Sequence, residues 1–423
     1  MLAVKFRFIS LTMLLLCGSA CPSFGSTDPF LRYNFRKPPE IVNKLGAEVL
    51  GKVQLQRVVF RSRMITTKDG PQPSNVFALI ASPLAPGKYP GLLILHGGRG
   101  AAEQQKAIAW AALGYVVVAP DLPGIADPEQ IPYSSGPWKG DFSSRYITAR
   151  PDVTSSPIFD GVLAALQSLE LLRSQTNVRT DRIGVVGFAW GGYVATMVSG
   201  IAGREVRATF SVFGSGYYDR GSAWQKRLAQ LPEIEAARWL KDLDAGRRAQ
   251  GITGNYFVAA STNHEYYWPP AVMATLAAIR SSRNQLFAPN DAASISLPGG
   301  TLTTEFPSSW LKMETDYFAF HLQNRGRPFP AVTVEKSVRR DGQTVRVQFR
   351  VPGLVQTAAY YALNDKSWRE RQWIKAPVVS SGNGIYEATI PAAAAAQGAS
   401  WLALASDNRP VTVSSTIEIV PNP

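Results

Sequence analysis

Sulfur and imidazole are scarce in this chain. Its 423 residues include only two cysteines and three histidines. Both cysteines, Cys17 and Cys21, stand near the N-terminus, so no disulfide can form within the rest of the chain and no Cys-based zinc site can be built there. The histidines are His96, His264 and His321, with none between residues 265 and 320 and no H-E-x-x-H or similar spacing. No metal and no cofactor is therefore expected. After the N-terminal stretch no apolar run is long enough for a transmembrane helix. Lys and Arg outnumber Asp and Glu by 44 to 31, yet no Lys/Arg-rich block or nucleic-acid motif occurs. The scattered positive charge reads as a solvated basic surface, and nucleic acid is not an expected partner.

What is present is ample material for a core. The hydrophobic fraction is 45 % and the charged fraction 18 %, a globular composition long enough for two domains. The opening segment "MLAVKFRFISLTMLLLCGSACPSFGS" has Lys5 and Arg7, an apolar run from Phe8 to Cys17, then small residues. This is the layout of a secretory signal peptide, with cleavage expected after Ala20 or near Gly25, and it predicts a soluble secreted or periplasmic protein. The "GSAC" ending at Cys21 resembles a bacterial lipoprotein signal with Gly18 where leucine is usual, which makes Cys21 a candidate lipid anchor. In the alternative, both cysteines leave with the leader.

Residues 27–50 read as a lead-in that packs on the outside. "VQLQRVVFRSRM" and "NVFALIASP" alternate like paired edge strands, whereas "GLLILHGG" and "YVVVAPDLPG" are continuous apolar runs, as strands covered on both faces require. Helical periodicity follows each buried run: near Glu103–Leu113, over Ile158–Ser174, and over Gly191–Ile201. Residues 125–157 form a Pro/Ser/Gly-rich excursion, and Gly221–Gln250 is a long polar helical insertion. Strands are expected at Ala208–Phe213, Asn255–Ala260 and Gln285–Ala288, and helices at Pro269–Arg283 and Ser308–Gln323. The alternation predicts an α/β doubly wound, mostly parallel sheet with helices on both faces and a site along one sheet edge. After "NRGRPFP" the texture changes to short alternating strands, an antiparallel sandwich of immunoglobulin or fibronectin type. The expected division is a signal peptide over 1–25, an α/β domain over 26–327 and a β-sandwich over 328–423.

The chemistry turns on "GVVGFAWGG", residues 184–192. Its frame is the strand–turn–helix on which G-x-S-x-G hydrolases mount a serine, and Gly187 and Gly191 supply the small neighbours that turn needs. The middle position is Ala189, whose methyl group cannot attack a carbon centre.

On these motifs the chain resembles the α/β-hydrolase superfamily, in particular the secreted branch of dienelactone-hydrolase-like proteins and acetyl xylan esterases. The resemblance implies an α/β-hydrolase fold plus a small C-terminal all-β immunoglobulin-like sandwich. It implies an oxyanion loop at "HGGRG", with donors near Gly98 or Arg99 and at the Trp190 amide, and with His96 shaping the loop. It places the nucleophile at Ala189, the acid at His264 within "STNHEYYWPP", and the base at Ala293. All three positions are altered, and Glu265 is a candidate substitute for the acid. Tyr266, Tyr267, Trp268 and Tyr217 are candidate ligand-stacking residues, with Tyr218 near them; Trp138, Lys139, Asp141 and Arg145 are available for the rim. Trp368 and Trp373 form a carbohydrate platform, fill the sandwich core or lie at the interface with the neighbouring domain. The expected function is a hydrolase-fold binding protein with a degraded Ser-His-Asp triad, its partner a polysaccharide or small ester. The alternatives are an active acetyl-xylan-esterase or dienelactone-hydrolase type enzyme with an unconventional site, and non-hydrolytic catalysis by His264 and Glu265.

Overall fold

A computed structural model describes residues 28–67, 69–136, 138, 146–297, 302–303, 310–353 and 355–421. The leader with Cys17 and Cys21, and Lys139, Asp141 and Arg145 of the excursion, lie outside the described residues.

The chain first lays down three antiparallel strands, β1 (Ile41–Leu50), β2 (Val53–Thr67) and β3 (Gly70–Pro83), joined by tight turns. Then follow β4 (Tyr89–Leu95), α1 (Gln104–Ala112), β5 (Val116–Pro120), α2 (Pro157–Arg173), β6 (Val178–Phe188), α3 (Trp190–Ala202) and β7 (Ala208–Val212). The next elements are α4 (Gln225–Ala229), α5 (Glu233–Asp242), α6 (Ala245–Arg248), β8 (Asn255–Ser261), α7 (Pro269–Ala278) and β9 (Arg283–Ala288). Among the described residues nine strands form one sheet in the order β1-β2-β3-β5-β4-β6-β7-β8-β9. From β5 to β9 every neighbouring pair is parallel.

The apolar runs sit where both sheet faces are covered. Every residue of β5 and β7 is buried, as are those of β4 beyond Tyr89. α2 and α3 pack together over one face. On the other, α1 meets α8 (Met313–Gln323), which follows the short strands β10 (Leu302–Thr303) and β11 (Trp310–Leu311). Trp110 and Phe318 touch there at 5.5 Å between ring centroids, beside the buried Lys106–Glu314 ion pair at 3.5 Å.

Three local expectations change. The lead-in over 27–50 contains β1, an edge strand whose residues stay partly or wholly exposed and so lack a clean apolar alternation. The long insertion after Gly221 is three short helices, because Pro232 interrupts it and Asp244 caps α6 by accepting from the Arg247 amide at 3.0 Å. The last helix of this part starts at Met313, after β11 rather than at Ser308.

The remaining chain builds two antiparallel sheets from β12 (Thr333–Arg340), β13 (Thr344–Arg350), β14 (Gln356–Leu363), β15 (Ile374–Ala376), β16 (Val378–Gly382) and β17 (Ile385–Pro391). A single helical turn, α9 (Ala392–Ala396), then β18 (Ala399–Ser406), β19 (Thr412–Ser414) and β20 (Glu418–Ile419) complete them. One sheet runs β12-β13-β17-β16; the other runs β15-β14-β18-β19, with β20 also on β18. Val345, Val347 and Phe349 of β13 are buried at every second position, and Phe349 meets Trp401 of β18 at 6.5 Å. This part seats on the free edge of β9. There the Phe287 amide donates to Ser414 Oγ at 2.9 Å, and Gln285 Nε2 donates to the Ser414 carbonyl at 2.8 Å.

Candidate active site

The strand β6 ends at a turn whose shape is set by absent side chains. A Cβ on Gly187 would lie 2.0 Å from the Gly191 carbonyl oxygen, and one on Gly191 would lie 2.1 Å from that of Leu95. Only glycine lets the strand and α3 approach this closely. Between them Ala189 adopts φ 51°, ψ −113°, a conformation that costs an L-residue about 1–3 kcal/mol. The turn is held by the Ala189 amide donating to the Val212 carbonyl at 2.8 Å and by the Ala189 carbonyl accepting from the Tyr193 amide at 3.0 Å. The result is a sharp strand-to-helix turn, and the side chain at its apex is a methyl group.

The loop after β4 is organised by His96. Its Nδ1 donates to the Gly97 carbonyl at 2.7 Å, and its Nε2 accepts from the Leu122 amide at 2.9 Å. Both ring nitrogens are thus used, the tautomer is fixed, and burial lowers the pKa. His96 ties the loop to the chain leaving β5 and has no nitrogen left to act as a base. The Arg99 amide donates to the Ile125 carbonyl at 2.9 Å and so belongs to the same loop scaffold. The amides of Gly98 and Trp190 have no acceptor among the described residues. Trp190 opens α3, where the first-turn amides are left over by helix geometry.

Beyond β8, His264 packs against Phe213 and Tyr267 at 4.7 and 5.1 Å between ring centroids. Its Nδ1 accepts from the amides of Tyr266 and Tyr267 at 3.0 and 3.3 Å. Burial pushes its pKa down to about 4, so the ring is neutral near pH 7 and its proton is on Nε2. The neighbouring Glu265 turns outward, its half-exposed carboxylate 4.0 Å from the Arg369 guanidinium. The two do not form a His–carboxylate pair, because successive side chains leave the turn in different directions.

Ala293 lies in the loop after β9. That loop is stitched to the His264 turn: the Asn263 amide donates to the Asp291 carbonyl at 3.0 Å, and the Asn290 amide donates to Thr262 Oγ1 at 3.0 Å. Residues 369–373 of the C-terminal part clamp both. Asn263 Nδ2 donates to the carbonyls of Arg369 and Arg371, and the Asn290 side chain exchanges two hydrogen bonds with the Trp373 backbone at 2.7 and 2.8 Å. Trp373 is accordingly buried at the seam, while Trp368 lies under the Arg371 guanidinium at 3.7 Å.

Ala189, His264 and Ala293 all line one cavity of about 800 Å³, as do Gly98, Arg99 and Trp190. Its wall is a continuous aromatic band. Tyr146 touches Trp190 at 4.4 Å, Trp190 touches Trp224 at 5.4 Å, and Trp224 stacks on Tyr266 at 5.5 Å. His264 and Phe213 carry the band on to Phe188, 5.6 Å from Phe213. Asp127, Pro128 and Glu129 complete the lining.

Of the expected stacking residues, Tyr266 and Tyr267 line the cavity. Tyr217 is held between Arg220 and Arg247, at 4.6 and 5.2 Å, and Trp268 donates its indole N–H to the Glu265 carbonyl; neither is part of the described lining. Tyr218 is core, stacked on Trp239. Trp138 donates its indole N–H to Asp160. His321 packs on Tyr317 within α8. Sequence reasoning missed Tyr146, Phe188, Phe213 and Trp224. Phe213 was within reach, since it directly follows β7 and strand ends mark the site edge.

Residues 76–237 match the model of the dienelactone hydrolase family. That segment holds the His96–Gly100 loop and the Ala189 turn and ends before His264. Acetyl xylan esterase 1 from Thermoanaerobacterium sp. JW/SL YS485 superposes with a TM-score of 0.52 at 18 % identity, over 69 % of this chain and 94 % of the other. The fold is that of an α/β-hydrolase. Its likeness is to the dienelactone-hydrolase-like branch. The acetyl xylan esterase from Paenibacillus sp. R4 gives a TM-score of 0.49 at 17 % identity, over 64 % and 90 % of the two chains. No curated protein matches the chain. Among the described residues of this hydrolase-fold chain, no group of three His, Cys, Asp or Glu side chains is placed to hold a metal ion, and no helix is long and apolar enough to cross a membrane.

Proposed function

We propose that this chain is an α/β-hydrolase-fold protein that binds a ligand in the aromatic cavity without hydrolysing it. One observation carries the reading: the strained turn presents the methyl of Ala189 to a cavity that His264 and Ala293, which we take as the acid and base positions, also line. Acyl transfer needs a nucleophile and a proton acceptor within reach of each other. Losing a whole triad costs a factor of about 10⁶ in turnover, and an oxyanion site with binding alone leaves about 10³–10⁴ over water. His264 cannot serve as the missing base, because its acceptor nitrogen is taken by two backbone amides.

Purified protein is to be tested on p-nitrophenyl acetate and acetylated xylan, beside Ala189→Ser and the triple variant Ala189→Ser/His264→Asp/Ala293→His. Silence in the unaltered protein, with turnover gained in the triple variant, is the expected result. Robust hydrolysis by the unaltered protein, or its labelling by a fluorophosphonate, would refute the proposal in favour of an ester hydrolase with an unconventional nucleophile. A polysaccharide or small ester is the proposed ligand, because aromatic faces stack on sugar rings and acyl groups; a glycan array distinguishes the two.

The proposal extends to the chain's organisation. We take residues 1–25 as an export leader, 26–327 as the hydrolase domain and 328–423 as an immunoglobulin-like sandwich. The protein is then secreted or periplasmic, with Cys21 the lipid-bearing residue if the leader is processed as a lipoprotein signal. Intact mass and N-terminal sequencing of the exported protein separate these outcomes.

A further inference from the structure

The aromatic cavity contains one polar ring whose hydrogen-bonding capacity the protein leaves half used. His264 is only 5 % exposed and borders the cavity. With Nδ1 accepting from the Tyr266 and Tyr267 amides, the ring proton is fixed on Nε2. Among the described residues nothing accepts from that Nε2–H, and the atom is not sealed in the core. A buried donor without a partner is costly unless a ligand or water completes it. Water, or an accepting atom of a guest that displaces it, completes this donor in the cavity. A hydroxyl or a carbonyl oxygen can accept from the donor, but a carbonyl oxygen only accepts, so it leaves no proton unpaired against an imidazole that has no acceptor to spare. Among the described residues the charged groups of the lining are Asp127, Glu129 and Arg99, a balance that gives an anion no advantage over an uncharged guest. The band of rings favours a flat one.

We propose that His264 is a ligand-binding residue whose Nε2–H, set beside Phe213 and Tyr266, holds the carbonyl oxygen of an uncharged aromatic guest, a ketone as readily as an ester. The inference rests on the reading that the site binds without cleaving, because a cavity that does not expel a leaving group has no reason to require one.

The probes are 2-acetylnaphthalene, the matching hydrocarbon 2-ethylnaphthalene, and the anion 2-naphthoate, with binding followed by quenching of tryptophan emission and checked by equilibrium dialysis. Trp190 and Trp224 lie in the cavity wall. The ketone is expected to bind about tenfold more tightly than the hydrocarbon, the worth of one neutral hydrogen bond, and more tightly than the anion. In His264→Asn, whose Oδ1 can still accept from the two amides, that advantage is expected to disappear while hydrocarbon binding persists. In His264→Gln, which carries an N–H near the place of Nε2, part of it is expected to return. Equal affinity for ketone and hydrocarbon in the unaltered protein, tightest binding of naphthoate, or no binding of any probe would each overturn the proposal, and these comparisons need no variant to fold. Hydrolysis of 2-naphthyl acetate by the unaltered protein would instead refute the non-cleaving reading and leave the ketone comparison readable.

Discussion

Ala189 combines a strained backbone with a side chain that gains nothing from the strain. Its φ of 51° is one of several positive values at non-glycine residues lining the cavity; Arg99 and Phe213 have φ of 64° and 62°. Glycine would adopt the same turn without the Cβ clash, so Ala189→Gly is expected to stabilise the protein by about 1 kcal/mol, read as a shift in the denaturation midpoint. An ordinary helix-start alanine would show the opposite sign. His264 gives a second residue-scale expectation. Its folded-state pKa of about 4 lies below the ordinary 6.5, so the unfolded chain binds the proton first as pH falls. Stability contributed by the neutral ring is whole above about pH 6.5 and is lost toward pH 4. The stability difference between the unaltered protein and His264→Asn is expected to shrink by about 2 kcal/mol from pH 7.5 to pH 5. Denaturant titrations at the two pH values check it; a difference that grows in acid would mean the ring is charged in the folded state. Both positions could be read in the sequence, because the motif frame and the three histidines are local facts. Which way Glu265 points could not be read: adjacent residues share a register but not a direction.

At the scale of elements, the contact between β6 and α3 is backbone against backbone. Gly191→Ala would push a methyl to within 2.1 Å of the Leu95 carbonyl oxygen, and neither β4 nor α3 has a side chain there that could yield. Such overpacking is expected to cost at least 1–3 kcal/mol and to appear as loss of soluble expression or a lowered midpoint. The buried strands of the sheet were plain from their unbroken apolar runs, since a strand covered on both faces has no polar side to alternate with. β1 was not plain, because an edge strand that buries little leaves little pattern. The insertion after Gly221 looked like one helix because its periodicity is helical throughout; the breaks come from Pro232 and from the Asp244 cap, which depends on the tertiary placement of Tyr217 and Tyr218.

Across the whole molecule, the C-terminal sheets are hydrogen-bonded to the loops that carry the site. Asn290 holds Trp373 by two hydrogen bonds and sits in the loop that carries Ala293; Asn263 holds Arg369 and Arg371 and precedes His264. Asn290→Ala removes both bonds to the Trp373 backbone at a half-buried seam and is expected to cost about 1 kcal/mol, read as a lowered denaturation midpoint. Faster proteolysis within residues 289–297 would accompany it, and limited digestion with mass mapping checks this. No sequence pattern announces such a clamp, because its partners are more than eighty positions apart and one side of each bond is main chain.

The seat of Ser414 on β9 has a consequence of another kind. The parallel end of so large a sheet presents a row of peptide groups able to recruit any extended chain that drifts past, and here the molecule's own tail packs against it, with the Phe287 amide bonded to the Ser414 hydroxyl. A cut in the connector around residues 324–332 that let the tail depart would uncover a sticky border. The shortened product is then expected to cluster with its own kind, visible as a rise in light scattering with concentration that exceeds that of the intact chain.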